Sequence, residues 1–116
     1  MITKGIRGAI TVDTNNAEDI KTATIELFTQ LIKENNINKD FVSHVIFTMT
    51  KELDAAYPAK FVRQDLGWDK TAFMCEQELD VENSLKKCIR VLIVYNCENN
   101  FEPKFVYLKG AKDLRK

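Results

Sequence analysis

The sequence predicts an α+β fold, a mixed β-sheet with its helices packed on one face. Strand-like and helix-like runs alternate through the first half of the chain, and three further strand-like runs then follow with no helical pattern between them. One long and one short helix are thin cover for five strands. A sheet face is therefore expected to lie open for a partner, which points to a homo-oligomer.

The first strand is expected at Lys4 to Asp13, "KGIRGAITVD", where apolar positions alternate around two glycines and end in β-branched residues. The long helix follows, with Asn15 or Asn16 as N-cap, Glu18 and Asp19 in the first turn, and apolar Ile20, Ala23, Leu27, Leu31 and Ile32. In "FVSHVIFTMT", Val42, Val45, Ile46 and Phe47 are too short and too β-branched a run for a helix and mark the second strand. Pro58 can open the short helix, Ala59 to Leu66, which Gly67 stops; Lys60 and Arg63 then lie one turn apart. The third strand is expected at Thr71 to Cys75, before the acidic connection "EQELDVENS". The fourth is "KKCIRVLIVYN", Lys86 to Asn96, and the fifth "KFVYL", Lys104 to Leu108. The tail "KGAKDLRK" reads as a mobile segment over a site or interface rather than core.

The 116 residues suit a single domain spanning 1–116, and 45% hydrophobic with 29% charged residues is ordinary for a soluble globular chain. Seventeen basic residues balance 17 acidic ones, which excludes the global field of a non-specific nucleic-acid or membrane binder. Met1 to Gly5 lacks the apolar stretch of a signal peptide, and no apolar run nears the roughly 18 residues that span a bilayer, so cytoplasm is the expected location. Cys75, Cys88 and Cys97 are an odd number with no CxxC pair, and His44 is the single histidine. These argue against a disulfide framework and a zinc site, and no metal is expected. "GIRGA" lacks the ending of a phosphate-binding loop, and no Ser/His/Asp arrangement supports hydrolysis.

Arg90 is the anomaly. It shares its strand face with Cys88, Leu92 and Val94, while Ile89, Val91, Ile93 and Tyr95 take the other, so neither face offers it a polar setting. An arginine there either reaches outward to water or meets a group worth partial burial. Its candidate company is Arg7, between two glycines, Lys60 and Arg63 on one helical face, and Glu78, just past an apolar strand. Cations around one carboxylate suit a small ligand with several carboxylates, which arginine grips bidentately. Lys60 and Arg63 fit a solvated helix face equally well, and Glu76, Glu78 and Asp80 also fit a solvent-facing edge.

Five ordered motifs, "GIRGAITV", "YPAKFVRQDLGW", "MCEQELDV", "LKKCIRV" and "VYLKGAKDLR", resemble the monofunctional chorismate mutases of the Bacillus type over nearly the whole chain. The resemblance implies a ferredoxin-like sheet, with three chains forming a pseudo-α/β barrel and active sites in the clefts between neighbours. It also implies the cofactor-free Claisen rearrangement of chorismate to prephenate, on the way to phenylalanine and tyrosine. Carried over, Arg90 faces the ether oxygen, Glu78 and Cys75 contact the ring hydroxyl, and Arg7 and Tyr107 hold the enolpyruvyl carboxylate. Tyr57, Ala59, Lys60 and Arg63 come from the neighbouring chain, Met74 lines the wall, and Leu114 and Arg115 close over the cleft. Tyr57 stands where the family often has phenylalanine, and Met74 where threonine is common. The alternative is a non-catalytic trimeric module that binds a carboxylate metabolite through the same cations.

Overall fold

Residues 1–114 are described in a computed structural model of the chain. The elements run β1 (Ile2–Thr11), α1 (Ala17–Asn35), β2 (Val42–Met49), α2 (Pro58–Asp65), β3 (Ala72–Gln77), β4 (Cys88–Cys97) and β5 (Val106–Leu108). They make one mixed sheet in the order β3-β2-β4-β1-β5. β4 is antiparallel to both β1 and β2, while β5 runs parallel to β1 and β3 parallel to β2. The expected α+β class and element order are those observed.

Period-two alternation sorts the strands into two faces. Ile6 and Ile10 of β1, Val45 and Phe47 of β2, and Ile89, Val91 and Ile93 of β4 are buried in the main core. Ile20, Leu27, Phe28 and Leu31 of α1, with Phe61 and Val62 of α2, complete it, at a helical spacing that keeps them on one side. Gly8 lets α1 lie this close: a Cβ there would meet Leu31 Cδ1 at 2.7 Å and the Val106 carbonyl at 3.0 Å. α1 starts where the Asn16 side chain accepts from the Asp19 N–H at 2.8 Å and ends at Asn36, left-handed at φ 50°. Asn15 does a different job. Its carbonyl accepts from the N–H groups of Asp54 and Ala55, tying the β2–α2 connection to the start of α1.

Among the described residues no α-helix covers the opposite face. That face presents Arg7 and Ala9 from β1, Arg90 and Leu92 from β4, Ile46 and Thr48 from β2, and Met74 and Glu76 from β3. Among the described residues no helix is long and apolar enough to cross a membrane.

Element ends differ from expectation where a backbone feature intervenes. β4 begins at Cys88 rather than Lys86 because Lys87 is left-handed, at φ 50°. β1 begins at Ile2 rather than Lys4 because Thr3 and Lys4 still pair across to Asn96 and Tyr95. The tail, through Leu114, is docked on the sheet and contributes a buried residue, where the sequence suggests a segment outside the core. It makes a 3-10 turn at Lys109–Ala111, buries Ala111 completely against Ala9 and Cys88, and donates the Gly110 N–H to Thr11 Oγ1 at 2.9 Å. A methyl side chain meeting another small residue allows that close seat, which a polar tail composition conceals.

Candidate active site

Strand register assembles the site on the uncovered face. Ala9, Arg90 and Thr48 pair laterally across β1, β4 and β2, with Glu76 of β3 next in that row and Tyr107 of β5 beside Ala9. Arg7, Leu92, Ile46 and Met74 form the adjacent row. Just beyond β3, the Glu78 N–H donates to the Met49 carbonyl at 2.7 Å, which holds the chain against β2 for one more residue. Its carboxylate Oε1 then lies 3.4 Å from Arg90 Nε. Arg7, Thr48, Glu78 and Arg90, with Ile46, Val91 and Leu92, line a cavity of about 190 Å³.

The puzzle of Arg90 resolves here. Its side chain is 31% exposed and that of Glu78 24%, so the guanidinium is neither free in water nor sealed in the core without a counter-charge. Its planar fork has one face of a carboxylate and further donors to spare. Two hydroxyls enclosed on this side, Thr48 Oγ1 and Tyr107 OH, have no hydrogen-bond partner among the described residues. Beside them Cys88 is a neutral thiol, pushed up by burial although Arg90 draws it the other way. Leu114 packs with Tyr107 against Ala9, Cys88 and Ala111, which puts the end of the described chain next to this cavity. Arg115 lies outside the described residues.

A second group gathers elsewhere. Tyr57, Ala59, Arg63 and Cys75, with Phe73, line a cavity of about 280 Å³ beside α2. Tyr57, Lys60 and Cys75 also border a larger groove of about 560 Å³ that runs past Leu53 and Phe61. Tyr57 is 68% exposed, a large aromatic held at a cavity rim. Burial pushes the Cys75 thiol up. Cys75 pairs with Phe47 and thus faces the helix-covered side, away from Glu78 and Arg90. Three residues along an extended chain reverse the face, so Cys75 and Glu78 of one chain do not share a site. That offset was available in the sequence. Met74 stands on the open face of edge strand β3, 59% exposed, and belongs to neither lining.

Thr48 went unmarked in the sequence because it sits in an apolar strand with no charge to draw notice; its face follows from alternation with Phe47. A further group holds the mount of Arg90 in place. The Glu52 carboxylate accepts from the Thr50 hydroxyl and, at 2.7 Å, from the N–H of left-handed Lys87; Thr50 Oγ1 in turn accepts from the Cys88 N–H at 3.0 Å. Burial would raise the Glu52 carboxyl, but the bonds from Thr50 and Lys87 outweigh it and hold the group below its ordinary value. A depressed carboxyl contributes stability that is complete above its ordinary range, about 4.3, and is lost as pH falls through the folded value. Glu52→Gln is therefore expected to be less stable at neutral pH and to lose less stability between pH 6 and pH 3 than the parent, by denaturant melts. Parallel pH curves for the two proteins would contradict this.

Among the described residues no group of three or more His, Cys, Asp or Glu side chains could hold a metal ion. Fold and site together define a small α+β domain that gathers fixed cations around one carboxylate on an open sheet face. The chain belongs to the chorismate mutase type I family, whose model matches residues 3–116. It is 37% identical over 116 residues to chorismate mutase AroH of Bacillus subtilis (strain 168), an alignment spanning 99% of this chain and 91% of that protein. It is 38% identical to chorismate mutase AroH of Thermus thermophilus, over 97% of this chain and 93% of the relative. Its structure is similar to that of a chorismate mutase from Clostridium thermocellum, with a TM-score of 0.89 and 44% identity, covering 94% of this chain and 97% of that one.

Proposed function

We propose that this protein is an isomerase that converts chorismate to prephenate by an intramolecular Claisen rearrangement, in the cytoplasmic route to phenylalanine and tyrosine. The observation that carries the proposal is Arg90 on the rigid central strand, within 3.4 Å of Glu78 and sharing a cavity with Arg7. The bond from the ether oxygen to the ring breaks as the enolpyruvyl methylene bonds to the ring. No proton moves and no group leaves, so neither a general acid nor a base is required. The protein's tasks are to hold a flexible dianion in its compact reactive conformer and to meet the charge that develops on the ether oxygen.

Arg90 supplies that second task. Arg7 and Tyr107 hold the enolpyruvyl carboxylate, and the enclosed, unpartnered hydroxyl of Tyr107 is supporting detail. Glu78 takes the ring hydroxyl and faces the ring as it becomes electron-poor.

The cavity lined by Arg7, Glu78 and Arg90, about 190 Å³, is smaller than the roughly 300 Å³ at which ligand pockets begin. A neighbouring copy completes it with Tyr57, Ala59, Lys60, Arg63 and Cys75, Met74 lining the wall, in a homotrimer closed through the uncovered sheet faces. Leu114 closes over the cleft from the tail. Supporting this division, the two residue groups lie on opposite sides of one sheet and cannot both reach one small substrate within a chain.

Purified protein mixed with chorismate is expected to accelerate the loss of the substrate's diene absorbance far beyond the uncatalysed rate. An unaccelerated reaction would overturn the proposal.

A further inference from the structure

Thr48 carries an inference beyond the residues assigned above, resting on the chorismate mutase reading. Its side chain shares the uncovered face with Arg90, its lateral partner on β4, and it lines the same cavity as Glu78 and Arg7. Its Oγ1 is enclosed, yet no described residue gives it a hydrogen bond. Buried hydroxyls are ordinarily satisfied, because leaving one unpaired forfeits its hydrogen bonds to water. Here the unpaired donor shares a cavity with two guanidinium groups and the Glu78 carboxylate, and Glu76 is its lateral neighbour on β3; only the carboxylates can accept from it, and of the two Glu78 is the one that lines the cavity.

In the free protein Glu78 has Arg90 as its ion-pair partner. Catalysis needs the Arg90 donors on the ether oxygen, which draws the guanidinium away from that carboxylate. We infer that Thr48 is a positioning residue: its hydroxyl donates to the Glu78 carboxylate when Arg90 turns to the substrate, holding Glu78 toward the ring. The hydroxyl is thus held in reserve in the free state and bonded in the transition state. Such an interaction appears in kcat more than in KM.

Thr48→Val keeps the β-branched shape and removes the hydroxyl, and Thr48→Ser keeps the hydroxyl and removes the methyl. Steady-state kinetics on chorismate and thermal melts are measured for both beside the parent. Val is expected to lower kcat about tenfold with KM within about twofold, the scale of one hydrogen bond to a charged group. Its melting temperature is expected to be unchanged or higher, since the parent gains nothing from an unpaired hydroxyl. Ser is expected to stay within about twofold of the parent in kcat, because it retains the same donor. A Val variant with parental kcat beside an active parent would overturn the role of Thr48 while leaving the proposed function standing. Equal losses in Val and Ser, or a lowered melting temperature accounting for the loss in Val, would assign the residue to packing and overturn it as well.

Discussion

Arg90→Lys is expected to lower kcat/KM by about 10²–10³-fold, the usual consequence of removing one preorganised donor aimed at a developing oxyanion. The formal charge survives the change, so the loss isolates geometry. Arg90 stands on the central strand β4, paired laterally to β1 and β2, with its guanidinium fixed at one side by Glu78. A planar fork turned from that carboxylate to the substrate still presents its N–H groups in one fixed plane. An ammonium is a compact, strongly hydrated point on a flexible stem, and with Glu78 at hand it settles there. kcat is expected to fall more than KM rises, because the ether oxygen carries its charge only in the transition state. Backbone pairing at position 90 does not depend on the side chain, which is one-third exposed, so the thermal melt is expected to stay near the parent's. Near-parental turnover in the lysine variant would refute the role assigned to Arg90.

The periodicities that organise the sheet were legible at the level of residues. The apolar run around Arg90 marked β4 as a strand with two apolar faces, and Ile20, Ala23, Leu27 and Leu31 marked the α1 stripe that covers one of them. Pro58 and Gly67 bracketed α2 because each imposes a backbone geometry locally, whatever the rest of the fold does. Lateral register was not legible. Nothing in "KFVYL" says that Val106 to Leu108 adds in parallel beside β1, and without that pairing the seat of Tyr107 next to Ala9 is invisible. The docked tail escaped notice for the same reason: Ala111 is a small residue among polar ones, and its partners Ala9 and Cys88 are far away in sequence.

The candidate site shows the same division. Arg7, Glu78 and Arg90 drew notice by their charge in or beside apolar strands, a local signal. Thr48 and the facing of Cys75 depend on which side of which strand looks toward which neighbour. Alternation alone could have separated Cys75 from Glu78, but the resemblance set both against the ring hydroxyl. Folding sends them to opposite sides, and the resemblance drawn from ordered motifs carried no such geometric warning.

That separation bears on the second large effect, at Arg63. It sits in the last turn of α2, exposed, at the cavity it shares with Tyr57, Ala59 and Cys75. Arg90 looks out from the other side of the sheet. Facing layers in a fold stand about 10 Å apart, so one small dianion cannot touch both arginines of one chain. If a neighbouring copy supplies Arg63 to the cleft, Arg63→Ala removes a charged clamp without touching Arg90. Losing one partner of such a contact costs about 2–5 kcal/mol, which sets the expected fall in kcat/KM between about 30-fold and about 5,000-fold. A solvated helix arginine with no such duty would leave the rate within a factor of two.

The two variants together provide the most direct test of a site divided between subunits. Arg90→Ala and Arg63→Ala chains, each nearly inactive alone, are co-expressed or refolded together in equal amounts and assayed on chorismate. In a cyclic trimer each cleft takes its Arg90 face from one chain and its Arg63 face from the next, so about one cleft in four receives both intact arginines. The account predicts recovery to about one quarter of parental activity; activity no higher than the mean of the separate variants would contradict it.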